Sequence, residues 1–188
     1  MNRPMRADAR RNYDRLLAEA RVLFEEQGPD APLEDIARRA EVGIGTLYRH
    51  FPTRQALQEA VYRDQIEALA QEAYDLAERS RPEEALLPWI RSMLAHAVAK
   101  RGLNRALMAT LGRESDLFAA CRQQLNAAGE ALLTPAQEAG AVRKDLEVGE
   151  LLKLVHGVSV ATERSPGDAD RLITLIIEGL RPVDDRPR

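Results

Sequence analysis

The chain of 188 residues has little of what several classes of protein depend on. It contains one cysteine, Cys121, so no disulfide can form within it, and this favours a reducing compartment. Its longest stretch without a charged residue, Leu154 to Thr162, is far shorter than the roughly 18 apolar residues that a membrane-spanning helix needs. No apolar export segment follows the charged residues 1–11. We therefore predict a cytoplasmic protein.

Residues that favour sheets are also scarce. Aromatic residues make up 4% of the chain, and runs of β-branched residues are rare. Ala, Leu, Arg and Glu recur throughout, and these are good helix formers. A hydrophobic fraction of 45% is enough for a core, so we predict an all-α fold without a sheet.

The patterns that carry metal or phosphate chemistry are absent from the sequence. Its three histidines and one cysteine show no His-x-x-Glu, Glu-x-x-His or Cys-x-x-Cys spacing, and no glycine-rich phosphate loop occurs. We therefore predict no metal, no cofactor and no catalytic residue. A helical enzyme remains a weaker alternative.

Apolar residues recur at the three- and four-residue spacing of amphipathic helices in about nine segments. Gly28 closes the first predicted helix, Phe51-Pro52 stops the third, and Thr53 is suited to cap the fourth. The predicted helices cover residues 13–27, 32–40, 44–50, 53–79, 80–98, a segment between Gly102 and Gly112, 116–139, 148–162 and 168–180.

This pattern divides the chain into parts. We predict a flexible basic arm over residues 1–11, a three-helix domain over 12–54, a helical bundle over 55–181, and a disordered tail over 182–188. The helix over 53–79 is long enough to connect the two domains. The net charge of −3 is unusual for a nucleic-acid binder, but Arg10 and Arg11 belong to an arginine-rich N-terminus that suits phosphates. A solvated terminus is an equal alternative.

Residues 33–51 match the plan of a helix-turn-helix, in which the second helix enters the major groove of DNA. The stretch from Ile36 to Phe51 reads IARRAEVGIGTLYRHF and is followed by PTRQAL. It closely resembles the signature of the TetR/AcrR family of transcriptional regulators. The resemblance is strong over about residues 10–60. A three-helix unit that packs without touching DNA is the alternative.

The resemblance assigns contacts to DNA. It implies that Thr46, Tyr48, His50 and Arg54 contact phosphates and that Ile44, Gly45 and Arg49 lie nearest the bases. Arg38 and Arg39 could contact DNA or could belong to a solvated face of the helix. The sequence departs from the family where Glu41 replaces a turn glycine, Gly43 replaces a capping serine, and Leu33 replaces a polar residue. A positive φ at residue 41 would be strained.

Beyond residue 60 the resemblance implies a cavity for a small-molecule effector. The large apolar and polar residues that could line it are Trp89, Met93, His96, Leu107, Met108, Leu111, Phe118 and Cys121, with His156. The alternative for each of them is a core or interface residue, which is the commoner place for such side chains, since periodicity does not separate core from pocket.

The last two predicted helices are apolar over more than one face, which indicates a partner. The resemblance implies a homodimer through these helices. The candidate interface residues are Leu151, Leu154, Val155, Val158, Leu172, Leu175, Ile176 and Leu180. The expected function is a dimeric repressor that binds double-stranded DNA at an inverted repeat and is released by an effector. The rival from another class is a helical adaptor that binds only protein.

Overall fold

The computed structural model describes residues 3–182 of the chain, and α-helices form most of this range. No strand occurs in it, so the prediction of an all-α fold is confirmed. A 3₁₀ turn, Pro166–Asp168, precedes the last helix. The nine helices are α1 Arg3–Gln27, α2 Leu33–Arg39, α3 Ile44–His50, α4 Arg54–Arg79, α5 Pro82–Ala99, α6 Arg101–Leu111, α7 Asp116–Glu138, α8 Val148–Ala161 and α9 Ala169–Gly179.

Helix α1 begins ten residues earlier than predicted. The prediction of a flexible arm was wrong for residues 3–11, which form the first turns of α1. These residues contain alanines and arginines and, after Pro4, no helix breaker, so the helix extends at little cost in free energy. Residues 1 and 2 of the predicted arm and 183–188 of the predicted tail lie outside the described residues.

The chain forms two compact units. The first unit contains the chain up to Gln65 together with Lys100–Leu117, and the second contains Ile66–Ala99 and the chain from Phe118 onwards. This division differs from the predicted boundary at residue 54, because the first unit also takes the first half of α4 and all of α6. No described helix is both long enough and apolar enough to span a membrane.

In the first unit, α1 packs against α2 and α3 through an apolar stripe that recurs every three or four residues. The contact is close because Ala37 and Ala40 present small side chains. Gly28 ends α1 at a φ of 88°, which a residue with a Cβ rarely adopts. The fully buried residues of these three helices are Leu16, Ala20, Leu23, Ile36 and Leu47.

In the second unit, α5 packs against α8 and α9, which also pack against each other. Trp89 of α5 is fully buried, and its Nε1–H donates a hydrogen bond of 2.9 Å to the carbonyl oxygen of Leu69. Glu147 and Glu150 form a capping box at the start of α8. Trp89 is thus a fixed core residue whose polar atom is satisfied.

Gly129 of α7 faces this core with no room for a side chain. A Cβ at this position would lie 2.6 Å from Cγ1 of Val148 and 3.0 Å from Cη2 of Trp89. We expect Gly129→Ala to lower the free energy of unfolding by about 1–3 kcal/mol, since overpacking displaces buried side chains. Thermal denaturation would measure this. Gly149→Ala is the matched control because a Cβ there meets nothing within 4 Å; equal melting temperatures for the two variants would contradict the packing.

Candidate nucleic-acid interface

The turn between α2 and α3 has the geometry that the sequence predicted. Glu41 adopts a φ of 52°, as expected where the family usually places glycine. The amide of Val42 donates to the carbonyl of Ala37, and the amides of Thr46 and Leu47 donate to that of Gly43. Gly43 is the N-cap of α3 and offers no side-chain hydrogen bond. These hydrogen bonds fix the start of α3 although Glu41 adopts an unfavourable backbone conformation.

Helix α3 has one anchored side and one open side. Leu47 is fully buried and Phe51 is 3% exposed, so these residues fix the helix to the unit. Ile44 is 38% and Tyr48 46% exposed, and Gly45 and Arg49 are also exposed. Residues four apart lie on the same side of a helix. The candidates Ile44, Gly45, Tyr48 and Arg49 therefore form one outward surface, which we call the α3 surface.

The other two candidates on α3 flank this surface. Thr46 and His50 are half-buried. The His50 ring lies 5.9 Å from that of Tyr13 and 6.2 Å from that of Phe51, while the Tyr13 and Phe51 rings lie 5.1 Å apart. This aromatic group fixes the C-terminal end of α3 against α1 and leaves part of the imidazole in solvent.

Arg54 has a structural contact that the sequence did not indicate. Its Nη1 donates to the carbonyl oxygens of Pro29 and Ala31, and the side chain is half-buried. The guanidinium thus holds the turn between α1 and α2 through Nη1, and the phosphate contact expected of Arg54 stays a prediction for its remaining donors. The N-cap expected at Thr53 is confirmed by a hydrogen bond of 3.0 Å from the amide of Ala56 to its Oγ1.

Ion pairs hold α2 and the turn after it on α1. Arg39 donates to Glu19 and to Glu26, both over 3.0 Å, and Arg15 donates to Glu41 over 2.5 Å. The hydrogen bond to Glu26 is the main cause that raises the pKa of Arg39. Arg39 therefore has a structural contact. Arg38 is exposed and pairs with Asp35 of its own helix over 2.8 Å.

Arg10 and Arg11 lie exposed on the N-terminal part of α1. Arg11 forms an ion pair with Asp8, one turn away on the same helix. The pair is solvated and contributes little to stability. Both arginines are thus presented by a helix and not by a flexible arm.

The candidate effector residues do not come together in one unit. Leu107, Met108 and Leu111 belong to the first unit, and the remainder belong to the second. Leu107 and Trp89 are fully buried, so they are packed as core. Burial lowers the pKa of His96 to about 4, which leaves it uncharged at neutral pH. Met93, Phe118 and Cys121 are also buried, whereas His156 is exposed.

A cavity of about 620 Å³ lies elsewhere in the second unit. It is formed by the start of α5, the end of α7 with the turn after it, and the end of α9. The lining includes the apolar residues Leu86, Leu87, Val142, Ile177 and Leu180, with Glu83 and Arg181 as charged members. No residue predicted to bind the effector is among its lining residues, although Leu180 was predicted for the dimer interface.

Half of the candidate dimer residues are buried within the protomer. Leu151, Val155, Val158 and Leu180 are at most 8% exposed and belong to its core, so their expected place in an interface needs correction. Leu154 and Leu175 are 39% and 53% exposed, and Leu172 and Ile176 are half-buried. Val160, which the sequence reasoning missed, is 55% exposed on α8. Among residues 3–182 no group of acidic, histidine or cysteine side chains is placed to hold a metal ion.

Two family models match this chain and together assign it to a family. Residues 16–61 match the model of the bacterial regulatory proteins of the tetR family, and residues 81–182 match that of the SbtR-like C-terminal domain of transcriptional regulators. The second match alone covers more than half of the chain. This chain belongs to the tetR family of regulators. The resemblance read from residues 36–57 is thereby confirmed, and the helix-turn-helix is that of a DNA-binding transcriptional regulator.

Relatives of known structure support this membership over most of the chain. A TetR transcriptional regulator from Streptomyces coelicolor is 40% identical, with a TM-score of 0.78 over 90% of this chain and 98% of its own. A TetR regulatory protein from Mycobacterium vanbaalenii is 38% identical, with a TM-score of 0.77 over 95% of this chain and 100% of its own. An HTH-type transcriptional regulator from Staphylococcus aureus is 41% identical over 54 residues, and this match spans 28% of the chain and 29% of that relative's length.

Proposed function

We propose that this TetR-family chain is a repressor that binds an inverted-repeat operator as a homodimer and releases it when a small molecule binds. The observation that carries the proposal is the α3 surface, in which Ile44, Gly45, Tyr48 and Arg49 face outwards from an anchored helix. A Cβ at Gly45 would meet nothing, so bases can approach the backbone there.

The chemistry of each side chain suggests its contact. Arg49 is exposed and can donate two hydrogen bonds to a guanine, which makes it the candidate for base recognition. The hydroxyl groups of Thr46 and Tyr48 and the imidazole of His50 suit phosphate oxygens. Arg10 and Arg11 can add phosphate contacts from α1. Arg54 supports the site by holding the turn before α2.

Homodimerisation is proposed through the exposed apolar residues of α8 and α9. Leu154 and Val160 lie on α8, and Leu175 lies on α9. Large exposed apolar side chains on two helices that pack against each other favour a protein partner over solvent. A dimer with two-fold symmetry carries two copies of α3, and this symmetry requires an inverted repeat whose half-sites lie in successive major grooves, about 34–36 Å apart.

The response to an effector is proposed to involve the cavity of the second unit. Its volume of about 620 Å³ lies within the usual range of roughly 300–1,000 Å³ for small-molecule sites. Its apolar side chains, with Glu83 and Arg181, suit a small molecule that combines an apolar body with a polar group. Binding there would release DNA if the effector prefers a state that cannot bind both half-sites.

Leu87→Trp tests this cavity, because the larger side chain would fill it. We expect the variant to bind DNA as the wild type does and to lose release by a compound that a screen for DNA release has identified. Ala95→Trp, an exposed position on the same helix, is the control and should still respond. An undiminished response in Leu87→Trp would place the effector elsewhere.

Selection of DNA fragments tests the function itself. Full-length protein is mixed with pooled genomic fragments at low salt, and bound DNA is recovered and sequenced. The proposal predicts enrichment of one inverted repeat whose half-sites are about one helical turn apart or a multiple of it. Recovery of no specific fragment would favour the adaptor that binds only protein.

A further inference from the structure

The last turns of α1 carry acidic side chains that pair with two other elements of the first unit. Glu19 and Glu26 accept hydrogen bonds from Arg39 of α2. Glu25 forms an ion pair with Lys100, which is the N-cap of α6. Neighbouring residues of α1 therefore hold α2, which leads into the recognition helix, and the start of α6.

Lys100 is an unusual lysine because it is only 8% exposed. Burial of a charge is costly unless the charge is paired, and the partner here is the carboxylate of Glu25. Burial and the nearby charge of Arg21 lower the pKa of Lys100 to about 8. The side chain therefore stays mainly protonated at pH 7, and the ion pair persists at that pH.

The start of α6 also approaches the turn after α1. A Cβ at Gly102 would lie 3.4 Å from Cδ of Pro29. The carbonyl of Pro29 accepts hydrogen bonds from Gln58 over 2.8 Å and from Arg54 over 3.4 Å. The turn that leads into α2 is therefore held by α4 and bordered by α6, and Lys100 provides a charged contact at the N-cap of α6.

We infer that Lys100 is a positioning residue for DNA recognition, which fixes the last turn of α1, and through it α2 and α3, from the N-cap of α6. This inference rests on the proposed binding of DNA through α3. It assigns to the start of α6 a function in the DNA-binding part of the molecule, although α6 lies more than forty residues after the helix-turn-helix.

Lys100→Met tests this inference in the full-length protein. Methionine fills a similar volume without the charge, and Glu25 stays solvated because its side chain is 43% exposed. The variant should therefore fold. Lys144→Met, at an exposed position of the second unit, is the matched control, and Lys100→Arg tests rescue by a retained charge.

Two measurements separate positioning from a contact with DNA. Fluorescence anisotropy with an operator fragment should show an affinity about tenfold lower for Lys100→Met, which is within the usual range for coupling between two distinct sites. The logarithm of the association constant of Lys100→Met should fall with the logarithm of the salt concentration at the same slope as that of the wild type, since no phosphate contact is lost. Hydrogen exchange should show a faster rate at the amide of Ala31, which bonds to Gly28 in the turn. Lys100→Arg should recover part of both effects.

The outcomes are distinguishable. A wild type that binds DNA, with unchanged affinity and exchange in Lys100→Met, would overturn the positioning function alone. A reduced salt slope in Lys100→Met would show a direct phosphate contact and would also overturn it. A wild type that binds no DNA would overturn the proposed function and the positioning function together.

Discussion

Leu175→Glu is expected to convert the proposed homodimer into a folded monomer and to lower its affinity for an inverted repeat by about 100-fold or more, because a monomer loses the gain in affinity that comes from binding two linked half-sites jointly. Leu175 is 53% exposed on α9, so the protomer tolerates the charge. In the proposed two-fold interface each substitution occurs twice, and two carboxylates would be buried without partners.

Sedimentation velocity would show the change in mass, and anisotropy the change in affinity. Ala127→Glu, which adds the same charge at an exposed position of α7, should leave both unchanged. Val155→Glu should instead unfold the protein because Val155 is 3% exposed. If Leu175→Glu remained a dimer with full affinity, the last two helices would not form the interface.

Arg49→Ala is expected to weaken operator binding by about 10- to 100-fold and to relax the preference for one base pair, as loss of a good base contact usually does. Tyr48→Phe should weaken binding less and by a similar factor for every sequence, because it removes a phosphate contact. Both side chains are exposed, so melting temperatures should stay constant.

Competition binding against a set of single-base operator variants would measure the two effects. Arg122→Ala is the matched control, since Arg122 is an exposed arginine on α7 of the second unit. Full affinity and unchanged base preference in Arg49→Ala would remove this residue from recognition, and the α3 surface would then lack its only arginine among residues 44–50.

The sequence predicted those features that local chemistry decides. Apolar spacing located each helix, the hydroxyl of Thr53 marked a cap, and the departure from glycine at Glu41 predicted a strained turn. The candidates Ile44, Gly45, Tyr48 and Arg49 are exposed because Leu47 and Phe51 anchor only one side of a short helix, and their contacts with DNA stay a prediction. The length of α1 was wrong because no breaker defines its start.

Features that depend on distant parts of the chain were not predicted. The carbonyl partners of Arg54 lie 23 and 25 residues away, and Lys100 meets Glu25 across 75 residues. Periodicity showed that α8 and α9 are apolar but not which residues the protomer itself covers. For this reason Val155 and Val158 were assigned to an interface although they belong to the core.

The central claim is that this chain binds DNA through α3. The most direct test is anisotropy with the operator fragment at a series of salt concentrations, for the wild type and Arg49→Ala. We predict that the wild type binds tightly and that the logarithm of its association constant falls linearly with the logarithm of the salt concentration. The variant should bind more weakly at each salt concentration. Absence of wild-type binding at the lowest salt, or equal binding by the two proteins, would contradict the account.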